Sequence, residues 1–97
     1  MILVSRKGSH ISIQGHALYS DFGKDIVCSA VSSIVITTIN GIVEIDKESI
    51  EYNENKGIEI NVLKQDKVTL SLINNMMMLL KELSLKYPKN IQIKEGV

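Results

Sequence analysis

Asp25-Ile26-Val27-Cys28-Ser29-Ala30-Val31-Ser32-Ser33-Ile34-Val35-Ile36-Thr37-Thr38-Ile39-Asn40-Gly41 decides the fold of this chain. Its Val, Ile and Thr content favours a strand on propensity alone. The stretch is long for a strand, however, and Val27, Ala30, Val31, Ile34, Val35, Thr38 and Ile39 share one broad face at helical spacing. Asp25 is a good N-cap and Gly41 is well placed as the C′ residue. The segment is therefore expected to form a helix of about four turns ending at Asn40.

Upstream, Ile2-Leu3-Val4 reads as a short strand and Lys7-Gly8-Ser9 as a turn. His10-Ile11-Ser12-Ile13-Gln14 alternates polar and apolar residues, so the two pieces make a hairpin. Gly15 ends the second strand, which puts His16 at its exit into a loop. Downstream, Ser49-Ile50-Glu51-Tyr52 and Gly57-Ile58-Glu59-Ile60-Asn61-Val62-Leu63 form a second strand pair around Asn53-Glu54-Asn55-Lys56. Ile58, Ile60 and Val62 line a buried face and Glu59 and Asn61 a wet one. Asp66 caps a second helix that runs to about Lys86 with Pro88 just beyond it, and Leu72, Ile73, Met76, Met77, Leu79, Leu80 and Leu83 lie at helical spacing. Asn90-Ile91-Gln92-Ile93-Lys94 closes the series as a strand. The expected order is ββαββαβ, an α+β two-layer domain with two helices on one side of an antiparallel-type sheet, and residues 1–97 make one domain.

Hydrophobic residues are 44% of the chain and charged residues 23%, an ordinary globular balance. Eleven basic and eleven acidic residues cancel, so no long-range field draws the chain to nucleic acid or an anionic membrane. The single cysteine precludes an internal disulfide and fits a reducing cytoplasm. Basic residues follow the short apolar start of the chain, the reverse of a secretory signal. The uncharged run Ile26 to Val43 is marginal in length for a membrane span and interrupted by Cys, Ser, Thr, Asn and Gly. A small cytoplasmic domain without membrane or cofactor is expected.

The chemistry concentrates in Gly15-His16-Ala17-Leu18-Tyr19-Ser20-Asp21-Phe22-Gly23-Lys24-Asp25-Ile26-Val27-Cys28. The sole cysteine and one of two histidines stand at its two ends, with Gly15 and Gly23 as hinges. At the third position of a helix capped by Asp25, the Cys28 sulfur feels the positive end of the helix dipole, which favours thiolate. First-turn amides, that of Cys28 among them, lack intrahelical acceptors and can receive an oxyanion, with the Ser29 amide beside them as a further candidate. His16 can take the thiol proton if the loop folds back. Asp25 either caps the helix or orients His16. Tyr19 and Phe22 are either anchors of the loop or contacts for a peptide.

Blander readings stand beside this one. A cysteine on a helix is commonly a small buried apolar residue, and a histidine near a strand end an ordinary polar side chain. A zinc site would need Cys28, His16, His10 and a carboxylate, without the usual paired-ligand spacing. Met76-Met77-Met78 reads as core, with a partner surface as the alternative. A binding module that grips without cutting, or a redox- or metal-responsive regulator, are the competing functions.

Gly15-His16-Ala17, Phe22-Gly23 and Asp25-Ile26-Val27-Cys28 closely resemble the signature of the ribosomal-processing cysteine protease family, Prp. The resemblance continues through the Ser/Ala/Val-rich helix, Asn40-Gly41 and Tyr87-Pro88-Lys89-Asn90-Ile91. It implies a small cytoplasmic homodimer of α+β fold that removes an N-terminal extension from large ribosomal subunit protein twenty-seven, with bulky aromatics before the cut and a small residue after it. It implies Cys28 as nucleophile, His16 as general base and acid, and Ala17 to Lys24 as a cover over the substrate. The alternative partner relation is a non-enzymatic dimer bound to a ribosomal protein or an assembling ribosome. Ser29 stands where the family usually has Ala, and Leu18 and Tyr19 are larger than the residues often found there.

Overall fold

The computed structural model describes residues 1–15 and 26–96. The elements are β1 (Ile2–Lys7), β2 (His10–Gln14), α1 (Ile26–Ile45), β3 (Ile50–Asn53), β4 (Ile58–Val62), α2 (Lys67–Lys86) and β5 (Ile91–Gly96). This is the expected ββαββαβ order. The five strands form one sheet in the order β3-β4-β2-β1-β5. Every neighbouring pair is antiparallel except β1 and β5, which run parallel.

The registers sort the strand residues onto two faces. Val4 lies opposite Ile13 and Ile93, Ile11 opposite Ile60, and Ile50 opposite Val62. With side chains alternating along each strand, these residues share one face, and together with Ile2 and Ile91 they meet the helices in a single core cluster. The other face carries Ser5, Ser12, Gln14, Glu51, Glu59, Asn61, Gln92 and Lys94. Helices therefore cover one side only, and the burial of that side supplies the main stabilising term.

Helix α1 forms despite its β-branched content because Val27, Val31, Val35, Ile39 and Ile42 make one buried stripe. That stripe corrects the expected terminus. Gly41 does not end the helix, which continues to Ile45. Burial of Ile42 outweighs the roughly 1 kcal/mol that an interior glycine costs. The stop comes instead at Asp46, whose side chain accepts the Glu48 amide at 3.0 Å while its carbonyl accepts the Ser49 amide at 3.1 Å. This local turn competes with further helix. By length and apolarity α1 would also suit a bilayer, yet its buried stripe is part of the domain core.

Helix α2 follows the sequence closely. Asp66 is its N-cap, accepting the Thr69 amide at 2.8 Å, and the Tyr87 amide donates to the Leu83 carbonyl at the C-terminal end. Met76 and Met77 are buried while Met78 is 53% exposed, so the methionine run divides between core and surface. Arg6 donates to Asn74 at 2.9 Å and Lys81 pairs with Glu95 at 2.9 Å, tying α2 to β1 and β5.

Candidate active site

Cys28 is the third residue of α1 as described, on the first turn, half-buried and packed against the core cluster. It reaches this position because Val27 and Val31, one residue before and three after, are drawn into the core and fix the rotation of the helix. Ser29 follows on the exposed side. A helix start presents backbone N–H groups along its axis, and the sulfur stands on the first described turn of α1.

Gly15 stands at the end of β2 with φ +73°, a conformation natural to glycine, and a Cβ there would meet the Met1 carbonyl oxygen. β2 stops at Gln14, so Gly15 ends the strand as expected. His16, Tyr19, Phe22, Gly23 and Asp25 lie outside the described residues, and so do the Ala17–Lys24 segment and the Asp25 cap.

A cavity of about 400 Å³ opens beside Cys28. Cys28, Ser32 and Ile36, one turn apart along α1, form one wall. Ile13 and Val31 contribute the floor. The opposite wall is the β3–β4 connection, with Glu54, Asn55 and Gly57, and the start of β4 at Ile58. Gly57 allows this close approach: its φ is +83°, and a Cβ would collide with the Ile13 carbonyl oxygen. Among the described lining residues most are apolar, and Glu54 is the one carboxylate. Sequence reasoning assigned Glu54 and Asn55 only to a turn and gave Ile36 no role. The hairpin-loop composition was visible, but nothing local to it says that β4 pairs with β2 and so brings the turn against α1.

The second histidine is elsewhere. His10 projects from the helix-free face of the sheet, where Nδ1 lies 2.8 Å from Asn61 Oδ1 and Nε2 lies 3.2 Å from Glu59 Oε1. Cys28 packs on the opposite, helix-covered side. A ligand set combining His10 with Cys28 therefore does not assemble.

Comparison with known proteins adds chemistry to this geometry. The family model described as Cysteine protease Prp matches residues 2–92. The ribosomal processing cysteine protease Prp of Mycoplasma genitalium is 32% identical over 98 residues, covering 98% of this chain and 96% of that protein. Its Staphylococcus aureus counterpart is 27% identical over 92 residues, covering 90% of this chain and 86% of that protein. A crystal structure of the S. aureus protease with a covalently linked product peptide superposes with a TM-score of 0.88 at 23% identity, over 99% of this chain and 100% of that one. At that identity the superposition establishes the fold. With a half-buried thiol on a helix start, a groove beside it and a family match along almost its whole length, the chain belongs to the Prp family of cysteine proteases.

Proposed function

We propose that this enzyme removes an N-terminal extension from large ribosomal subunit protein twenty-seven, with Cys28 as nucleophile and His16 as general base and acid. Two relatives named for ribosomal processing support the substrate class, and the Gly15-His16-Ala17 and Asp25-Ile26-Val27-Cys28 motifs support the residue roles. The carrying observation is the placement of Cys28 on the first turn of α1, opening on a cavity.

In this mechanism His16 takes the Cys28 proton and the sulfur bonds to the scissile carbonyl carbon. The carbonyl electron pair moves to oxygen, held by helix-start amides that include Ser29. Collapse of the intermediate breaks the C–N bond as His16 returns the proton to the leaving amine. Water, deprotonated by His16, then attacks the thioester, and the sulfur leaves with the product acid released. The Ala17–Lys24 segment, with Gly15 and Gly23 as hinges, covers the bound substrate and Tyr19 and Phe22 contact it. Asp25 caps the helix or orients His16. The enzyme acts in the cytoplasm as a homodimer, which light scattering tests by a mass twice that of the chain.

The decisive experiment is mass spectrometry of the ribosomal protein's N-terminal peptide after incubation with wild type, Cys28→Ser and His16→Ala. A single cut by the wild type, reduced ~10³-fold or more in both variants, is expected. Binding without a cut under reducing conditions overturns the proposal.

A further inference from the structure

The groove between α1 and the β3–β4 connection is long enough to hold more than one side chain. Cys28, Ser32 and Ile36 are successive residues of one helical strip, so the wall extends about 12 Å from the sulfur at 1.5 Å per residue. At about 3.3 Å per extended residue, that distance accommodates roughly three to four residues of peptide. The volume of about 400 Å³ falls in the range of sites that enclose a ligand group. Its deeper part is built from Ile13, Val31, Ile36 and Ile58. A charged side chain placed there would lose its hydration without a partner.

The rim is different. Glu54 is exposed and takes part in none of the ion pairs found among the described residues. A carboxylate at the mouth of a groove whose other described lining residues are uncharged attracts a cation and repels an acid, with the modest strength of a solvated pair.

We propose that this groove binds an extended substrate segment next to the scissile bond, seating an apolar side chain against Ile36 and Ile58, with Glu54 selecting a basic over an acidic residue beside it. The proposal rests on the reading of Cys28 as the nucleophile, because the segment that fills the groove is continuous with the bond presented to the sulfur. Ile36 and Glu54 are then specificity residues with separate tasks, one setting depth and the other charge.

The test uses the Cys28→Ser protein and a fluorescein-labelled peptide spanning the cleavage site of the ribosomal extension. Two sister peptides carry Lys or Glu beside the apolar residue, and binding is read by fluorescence anisotropy. Ser32→Trp, at an exposed position, and Ile36→Trp each fill the groove and are expected to weaken binding about tenfold or more. Circular dichroism verifies their folding, and Ser32→Trp carries the test if Ile36→Trp does not fold. Glu54→Lys is expected to shift the Lys-to-Glu binding ratio about fivefold or more towards the acidic peptide. Unchanged affinity in the folded Trp variants, an unchanged ratio in Glu54→Lys, or no peptide binding overturns the proposal. Cleavage by the enzyme with Cys28 intact is scored separately. Groove-dependent binding with no cleavage removes the protease mechanism and leaves the groove assignment, whereas cleavage indifferent to both Trp variants does the reverse.

Discussion

The two long helices contribute to the same core but meet solvent in opposite ways. α2 has a side-chain N-cap, a lysine in its last turn, a hydrogen bond to Arg6 and an ion pair to β5. Its outer surface mixes Asn74, Asn75, Lys81, Glu82 and Lys86 with exposed Val68, Met78 and Leu85. α1 has no acidic residue in its first turn and no basic one in its last. Its exposed positions are mainly small and neutral, Ser29, Ser32, Ser33, Thr37 and Asn40, with Ile26 and Ile45 exposed at its two ends and Glu44 beside the latter. Burial holds both helices in place, and α2 adds fixed polar contacts from its surface to β1 and β5. Among the described residues, the helix that carries the cysteine keeps short, uncharged side chains along the groove, as the proposed peptide site requires.

Core truncation is the severest challenge to that contrast. Leu80→Ala in α2 and Ile39→Ala in α1 both remove side chains that are essentially fully buried. Each should cost about 2–5 kcal/mol. Thermal unfolding should show this as a fall of roughly 4–8 °C per kcal/mol. Comparable losses would show that α1 is held as firmly as α2 and that its neutral surface is not a sign of weak attachment. A loss below about 1 kcal/mol for Ile39→Ala alone would break the comparison.

Gly57→Ala sharpens it at the groove. The substitution combines a positive φ with a collision against the Ile13 carbonyl oxygen, so the β3–β4 connection must shift away from β2. We expect a cost of about 1–3 kcal/mol, smaller than the core truncations. Peptide affinity should fall further than that of Gly8→Ala, whose Cβ would meet nothing within 4 Å although its φ is also positive. Equal effects of the two substitutions on peptide affinity would remove the role given to the Gly57 close approach.

Both helices and all five strands were legible in the sequence because each carries a strong apolar period or turn residues at its ends. The boundaries of α1 were less so. Gly41 is a reasonable stop signal locally, but the decisive fact is a tertiary one, the burial of Ile42 against the rest of the core. The strand order was not legible either. The insertion of β4 between β3 and β2, and the parallel pairing of β1 with β5, are long-range choices that no local pattern encodes. The same limit hid the groove: Cys28, Ser32 and Ile36 share one helical strip, but Glu54 comes against that strip only through the strand order. The position of Cys28 on the first described turn of α1 was readable from spacing, whereas its proposed partner His16 lies outside the described residues.

The smallest expected effects lie in the N-cap of α2 and in the surface pair that precedes it. The Thr69 amide, and then the Thr69 hydroxyl, hold the Asp66 carboxyl below the usual carboxylate range. Lys64, bonded to Asp46 at 2.7 Å, and then the Glu48 amide do the same for Asp46. A carboxyl whose pKa is lower folded than unfolded binds its proton less readily in the native state. Its stabilisation is therefore present above the unfolded value, near pH 4, and disappears as the pH falls through the still lower folded value. Melting temperature measured from pH 7 downwards should accordingly separate wild type from Asp66→Ala at neutral pH and bring the two curves towards each other below about pH 4. Asp46→Ala should converge in the same direction, with a neutral-pH difference that shrinks in high salt because the Lys64 pair is exposed and screened. The Asp66 difference should respond less to salt, because its carboxylate is bonded to a backbone amide. A gap for Asp66→Ala that persists undiminished at pH 2 would mean the carboxylate is not what stabilises α2, and the asymmetry between the helices would have to rest on the Arg6–Asn74 and Lys81–Glu95 contacts.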